Sequence, residues 1–230
     1  MNVVPPSADT GCQRCGTCCR KGGPTLHRQD RPILLAGHIR YDHLVTVRAG
    51  EPAIDPTSNR SAPVAREFVR LSGRGPDWAC PFLTDPGAVC SIYEVRPLEC
   101  RLLECWAPEQ MTAVMGQDTL TRADLINPAD PILDLIQAHD QACPAGRVVF
   151  LAAQAQAGGV DAAAALEELG LLASRDLAFR QEAAAQFDLS VGRELFVFGR
   201  PLFKIACAHG LTVQETPDGL VFHVSPPPAV

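Results

Sequence analysis

The stretch Cys12-Gln13-Arg14-Cys15-Gly16-Thr17-Cys18-Cys19-Arg20 places four cysteines within nine residues. Cys12, Cys15 and Cys18 follow one another with two residues between them, and Cys19 comes directly after the third. The two-residue spacing lets the backbone turn around a metal and present two sulfurs to it. We therefore expect the first half of the chain to fold around a metal centre that begins here.

A second group of cysteines lies far downstream. Cys80 and Cys90 border two short apolar pieces that are separated by Pro86-Gly87, a pattern that predicts a β-hairpin with one thiol on each arm. Cys100 and Cys105 come after Pro97, which suits the first turn of a short helix. The predicted ligand set therefore has eight members: Cys12, Cys15, Cys18, Cys19, Cys80, Cys90, Cys100 and Cys105.

Eight cysteines fit several kinds of metal site. The number of cysteines is compatible with two four-thiolate zinc sites, with one [4Fe–4S] cluster and remaining thiols, and with a more compact polynuclear site. The spacing of the first three cysteines matches the bacterial ferredoxin run, but that run ends in x3-Cys-Pro, whereas here Cys19 follows Cys18 at once. We expect an iron–sulfur cluster in preference to zinc. Which of Cys18 and Cys19 shares a metal with Cys12 and Cys15 stays open.

Composition limits the classes of function. Of the 230 residues, 47% are hydrophobic and 20% are charged, as in folded proteins, and the net charge of −6 without any Lys/Arg block argues against nucleic acid as a partner. Residues 1–11 lack the basic and apolar parts of a secretory signal, and no segment has the ~18 apolar residues of a membrane span. We expect a cytoplasmic protein without a membrane partner, in which reduced thiols bind metal rather than form disulfides.

The pattern of elements predicts an α+β chain. A small cysteine-cluster metal-binding domain with short strands and helices is expected over 12–107, and a mostly helical region, a bundle with a C-terminal β-hairpin, over 108–230. Residues 51–62 are expected to form a loop because they contain Pro52, Pro56 and Asn59. Further expected elements are strands over 44–48 and 64–71, helices over 161–169, 174–187 and 200–209, and a hairpin around 217–219.

Residues outside the ligand set receive simpler interpretations. His139, Cys143 and Cys207 lie in helical patterns and are expected in the core. Trp78 and Trp106 flank the distal cysteines and are expected either to shield the metal from water or to line a pocket. Four arginines lie beside the cysteines and are expected either to offset the charge of several thiolates or to be solvated surface residues: Arg14, Arg20, Arg96 and Arg101.

The cysteine motifs, taken in order, resemble those of a known protein family. Cys12-x2-Cys15-Gly16-x-Cys18-Cys19-Arg20, then Cys80-Pro81-Phe82-Leu83, Cys90-x-Ile92-Tyr93-Glu94-x-Arg96-Pro97 and Cys100-Arg101, resembles the CxxCxxCC family of zinc- or iron-chelating proteins, the YkgJ-type cysteine-cluster proteins. The resemblance covers about residues 12 to 106 and implies metal or iron–sulfur binding through the eight positions. The rest of the chain lies outside it.

Flagellin lysine N-methylases are similar in their cysteine pattern, so the resemblance also implies an alternative. This alternative is an iron–sulfur-dependent protein lysine N-methylase, with S-adenosylmethionine as cofactor and a protein as substrate. The sequence has no Gly-x-Gly-x-x-Gly turn after a strand, no His-Glu-x-x-His and no Gly-x-Ser-x-Gly, so no catalytic residue is assigned. A third interpretation is a structural zinc module that mediates protein contacts.

Overall fold

The computed structural model describes residues 12, 14–55, 60–84 and 88–225. The first half of the chain consists of short elements joined by turns. Its helices are α1 (Thr17–Arg20), α2 (Arg31–Leu35) and α3 (Leu98–Leu102), and its strands are β1 (Leu44–Val47), β2 (Pro52–Asp55), β3 (Arg60–Pro63), β4 (Phe68–Leu71), β5 (Leu83–Thr84) and β6 (Val89–Cys90). Three 3-10 helices cover Arg28–Asp30, Tyr41–His43 and Tyr93–Val95.

The strands of this half pair two by two, and every pair is antiparallel. β1 pairs with β4, β2 with β3, and β5 with β6, where Leu83 lies opposite Cys90. The predicted strand over 44–48 and the strands of the predicted cysteine hairpin are thereby confirmed, while the Pro86-Gly87 turn lies outside the described residues.

Two predictions about this half are wrong in part. Residues 51–62, expected as a loop, contain β2 and the start of β3; Pro52 and Pro63 lie opposite each other at the end of this pair, where a missing N–H is tolerated. The strand expected over 64–71 begins only at Phe68, because Val64 instead donates its N–H to Glu51 at 3.0 Å and accepts one from Gly50 at 2.9 Å.

The second half is mostly helical and ends in a hairpin, as predicted. Its elements are α4 (Glu109–Val114), α5 (Arg122–Leu125), α6 (Ile132–Ala142), α7 (Ala145–Ala157), α8 (Ala162–Phe187), α9 (Val191–Phe198), α10 (Leu202–Ala208), β7 (Leu211–Thr216) and β8 (Gly219–Val224). In the described part of the chain, no helix combines the length and the apolar character needed to cross a membrane.

The prediction of two helices over 161–169 and 174–187 is wrong, because α8 runs without a break through both. Gly170, expected to end the first helix, lies inside α8 against the backbone of β8. A Cβ atom at this position would lie 2.4 Å from the carbonyl oxygen of Leu220. The glycine is therefore a packing residue that lets the hairpin approach the helix.

Two hydrophobic cores hold these elements together. The first joins β1, β4 and α9 through residues such as Leu44, Val69 and Phe196, and Cys80 belongs to it. Cys19 and Cys90 pack against it. The first core contains residues from both sides of position 107, and the division of the chain there stays a prediction. The second core lies between α7, α8, α10 and the C-terminal hairpin.

Candidate metal centre

The first cysteine run turns sharply at Gly16 and then enters α1. Gly16 has φ +73, and a Cβ atom there would lie 2.8 Å from the Cβ of Ala88, so the conformation and the space both favour glycine. Arg20 donates its backbone N–H to Gly16 at 3.0 Å, which closes the turn. The turn places Cys15 before the helix and the adjacent pair Cys18 and Cys19 within it.

Backbone hydrogen bonds attach the distal cysteines to this run. Cys80 donates its N–H to the carbonyl oxygen of Cys19 at 2.8 Å, which joins the hairpin of β5 and β6 to α1. The buried carboxylate of Asp30 accepts the N–H of Leu98 at 2.8 Å and thereby caps α3, the helix that contains Cys100. Asp30 directly precedes α2 in the sequence, but its side chain caps α3 instead.

All eight cysteines predicted as ligands line one cavity of about 260 Å³. They come from four segments of the chain that are separated by up to 93 positions, the distance from Cys12 to Cys105. Cys80 is buried, while Cys12, Cys15 and Cys105 are exposed at the rim. All ten cysteines of the chain are free thiols. The fold therefore gathers the two clusters that the sequence separates.

The adjacent thiols of Cys18 and Cys19 differ in how easily they ionise. Their sulfurs lie 3.9 Å apart. A hydrogen bond between them lowers the pKa of Cys18, the acceptor, and raises the pKa of Cys19, the donor. In the same run, a hydrogen bond with the hydroxyl of Thr17, at 3.2 Å, lowers the pKa of Cys15. Cys15 and Cys18 therefore ionise more readily than Cys19.

The deeper thiols are harder to ionise. Burial raises the pKa of Cys80 and of Cys100, and the neighbouring cysteines add to the shift by charge repulsion. Many thiolates in one cavity therefore need a cation among them, and a bound metal supplies that charge while it displaces the protons. The donor set is made of soft sulfur atoms, which suits zinc and iron–sulfur clusters.

Arginines lie at the rim of this cavity. The guanidinium groups of Arg14 and Arg96 stack on the two sides of the Tyr93 ring, 4.0 and 3.9 Å from its centroid. Arg20 donates to the carbonyl oxygen of Cys15 at 3.0 Å, and Arg101 donates to that of Arg96 at 2.8 Å. The predicted arginines thus pack on the cysteine segments themselves, where their charge favours thiolates.

The two tryptophans occupy different places. Trp106 lines the cysteine cavity, as expected for a residue that shields it. Trp78 instead lines a neighbouring groove of about 630 Å³. Of the two interpretations, shielding of the metal therefore fits Trp106, and the lining of a pocket fits Trp78.

Sequence reasoning missed Glu99, which lines both the cysteine cavity and the groove. Its carboxylate accepts the N–H of Thr25 at 2.8 Å and lies 3.3 Å from Nε2 of the buried His27. The only signal in the sequence was its position beside Cys100. Its burial follows from how α3 packs on the segment around residue 25, which no local pattern indicates.

A second group of residues of the types that bind metals belongs to a buried ionic network. His139, Cys143 and Asp176 are fully buried, with candidate ligand atoms within 4.8 Å of one another. However, Arg48 lies 3.4 Å from Nδ1 of His139, and Arg180 donates to Asp176 at 3.0 Å. Two guanidinium groups disfavour a further cation, and burial raises the pKa of Cys143 to about 11. His139 and Cys143 are core residues, as predicted.

Comparison with known proteins points to the same segment. No curated protein and no solved structure matches the chain. Residues 11–119 match the model of the CxxCxxCC family, described as "Putative zinc- or iron-chelating domain", and all eight cysteines of the cavity lie within this match. The resemblance of the cysteine pattern is thereby confirmed: residues 11–119, a little under half of the chain, are similar to the CxxCxxCC family.

Proposed function

We propose that the eight cysteines of the cavity together hold one metal centre, an iron–sulfur cluster in preference to zinc, and that binding this centre is the function of the domain. The observation that carries the proposal is the convergence of all eight side chains on one cavity of about 260 Å³. Sulfur ligands of this kind suit zinc and iron–sulfur clusters and exclude the hard ions Mg²⁺ and Ca²⁺, which take oxygen ligands.

The size of the cavity favours a cluster over a single ion. Its volume of about 260 Å³ is several times the roughly 30 Å³ that one water molecule occupies. A structural zinc ion takes four ligands in a closed tetrahedron, so one zinc leaves half of the cysteines without a metal. A [4Fe–4S] cluster is likewise held by four cysteines, whereas a larger polynuclear centre would use more of the eight sulfurs. Arg14 and Arg96 line the cavity, where their charge would offset that of either centre.

A cytoplasmic location is proposed because all ten cysteines are free thiols, which a reducing compartment maintains. The lysine methylase interpretation gains no comparable support: the strands of the described residues form antiparallel pairs, and a parallel Rossmann-type sheet for S-adenosylmethionine is not among them.

The proposal is tested by the metal and acid-labile sulfide content of protein purified without oxygen, together with its visible spectrum. We expect iron with matching sulfide and visible absorption; about four irons would mean a [4Fe–4S] cluster held by four of the eight cysteines, and more irons would mean a larger centre. About one or two zinc ions without sulfide or colour would instead identify the structural zinc module. Absence of both metals in stoichiometric amounts would contradict the proposal.

A matched pair of variants ties the metal to the cavity. Cys100→Ser removes one cavity sulfur and should abolish or strongly reduce the bound metal. Cys207→Ser alters a cysteine on α10 that does not line the cavity, and it should leave the metal content unchanged. Equal metal content in the two variants would remove Cys100 from the ligand set.

A further inference from the structure

The groove beside the cysteine cavity has the features of a ligand site. It lies between the β2–β3 hairpin and the β1–β4 pair, and its volume of about 630 Å³ falls within the range of small-molecule pockets. One wall is apolar and contains Val45, Val47 and Phe68, and Trp78 adds an aromatic surface. Two arginines, Arg70 and Arg200, also line the groove.

Arg70 lies in this groove with part of its hydrogen-bonding capacity unused. Its Nη2 donates to the carbonyl oxygen of Gly23 at 2.8 Å. Its Nε is buried and has no hydrogen-bond partner among the described residues. Because a buried donor without an acceptor costs free energy, the Nε–H of Arg70 lowers the stability of the fold. Arg70 lines the groove, so an acceptor that bound there would lie beside its guanidinium group.

Arg200 brings a second positive charge to the same groove. Its guanidinium pairs with the buried carboxylate of Glu51, but one third of the side chain, 33%, stays exposed. The two arginines are close enough that Arg200 acts by charge repulsion to lower the pKa of Arg70, after the larger effect of burial. The carboxylate of Glu99 opposes this repulsion but already accepts the N–H of Thr25. An oxyanion in the groove would meet both guanidinium groups.

We propose that this groove binds a small organic oxyanion, with a carboxylate or phosphate group on Arg70 and Arg200 and an apolar body against the wall of Val45, Val47 and Phe68. Glu99 lines both the groove and the cysteine cavity, so the bound molecule lies beside the proposed metal centre. The site is selective by charge: it accepts anions and repels the cationic side chain of lysine.

The test uses hexanoate and hexyl phosphate as probes, with neutral hexanol as the control for the apolar body. Binding to the full chain is followed by isothermal titration and by the fluorescence of Trp78, one of two tryptophans in the chain. We expect at least one anion to bind and to change the fluorescence, and hexanol to bind at least about tenfold more weakly. The tighter anion identifies the head group.

Two variants distinguish the groove from other surfaces. Arg70→Gln should weaken anion binding at least about tenfold, because it removes a charge-assisted hydrogen bond. Ala62→Phe keeps both arginines and fills the groove from β3, where Ala62 is exposed, and it should also abolish binding. The control Arg147→Gln removes an exposed arginine of α7 and should leave binding unchanged.

The outcomes separate the proposal from its alternatives. Circular dichroism and metal content are compared first, so that a variant that fails to fold is recognised; Ala62→Phe then replaces Arg70→Gln as the deciding variant. Binding of neither anion to the original chain would overturn the proposal. Equal anion binding by the original chain and by a folded Arg70→Gln or Ala62→Phe variant would overturn it as well.

Discussion

The thiols of the cavity differ in how readily they lose a proton, and these differences follow from their immediate neighbours. Cys18 accepts a hydrogen bond and Cys15 has Thr17 beside it, so the pKa of each thiol is lowered. Cys80 and Cys100 lie deeper, and burial raises their pKa values. A metal that binds all of them must therefore displace protons from the deeper thiols.

Metal affinity should consequently rise with pH. At neutral pH, the raised pKa values of Cys80 and Cys100 keep these thiols protonated in the metal-free protein, and protons compete with the metal. Each proton released on binding strengthens the affinity about tenfold per pH unit. Zinc titrations of the metal-free protein at pH 7 and pH 8 against a chromophoric chelator should therefore show at least this gain. A pH-independent affinity would mean that the deeper thiols do not bind metal.

At the level of single residues, the sequence identified the cysteines but not their partners. Spacing indicated the first four cysteines, because two-residue intervals and adjacent cysteines are unusual outside metal sites. The four downstream cysteines were added from their predicted hairpin and helix and from the order of the motifs. Glu99, His27 and Asp30 were not recognised as parts of the site's surroundings. Their roles depend on contacts between segments about 70 positions apart, such as Asp30 with the N–H of Leu98, and no local pattern encodes them.

Glycine in α8 shows how tertiary packing overrides a local pattern. Gly170 predicted the end of a helix, and the structure instead places it inside α8, where β8 comes too close for any side chain. The β2–β3 pair was missed for a related reason: Pro52 indicates a loop in isolation, but at the end of a strand its missing N–H is not needed. Periodicity predicted α10 and the C-terminal hairpin, whereas α4 and α9 were not predicted.

Substitution of Gly170 by alanine tests this account of α8. In an exposed helix interior, Gly→Ala stabilises by about 0.5–1 kcal/mol. Here the added Cβ would lie 2.4 Å from the carbonyl oxygen of Leu220, so we expect destabilisation of about 1–3 kcal/mol instead. The free energy of unfolding from urea denaturation decides the sign. The neighbouring Leu171→Ala, at an exposed position of the same helix, should change it by only about 0.5 kcal/mol.

On the scale of the whole molecule, buried ion pairs connect segments from both halves of the chain. Arg122 is buried and binds Glu67, the carboxylate of Asp140 on α6, and the carbonyl oxygen of Val197 on α9 at 2.7 Å. Together with the first hydrophobic core, this network joins the β1–β4 pair to the helices. The fold therefore has a framework of contacts outside the cysteine cavity.

Arg122→Met should destabilise the protein by about 3 kcal/mol. This value is at the low end for a broken buried ion pair, because Glu67 and Asp140 are themselves partly exposed. Methionine keeps much of the apolar volume, so the loss reflects the charge and its hydrogen bonds. Chemical denaturation of the variant is compared with that of Arg147→Met, which breaks an exposed pair with Glu168 and should have little effect. Equal stability of the two variants would contradict the role of the network.

Removal of the metal should loosen only part of the molecule. The segments 12–20 and 80–105 have short elements and converge on the cavity, so we expect them to lose protection against hydrogen exchange after chelation. The β1–β4 pair and α9 share the first core and should keep theirs. Hydrogen exchange followed by mass spectrometry resolves these segments. Uniform loss of protection over the whole chain, or no loss at all, would contradict this division.

The most direct test of the metal centre is X-ray absorption at the edge of the bound metal, on protein purified without oxygen, because it reports the atoms that surround the metal. We predict a shell of sulfur atoms, at about 2.3 Å if the metal is zinc, and an additional iron–iron shell if it is a cluster. The sulfur shell should shrink in Cys100→Ser and stay unchanged in Cys207→Ser. A shell made only of nitrogen and oxygen, at about 2.0–2.1 Å for zinc, would contradict metal binding by the cysteine cavity.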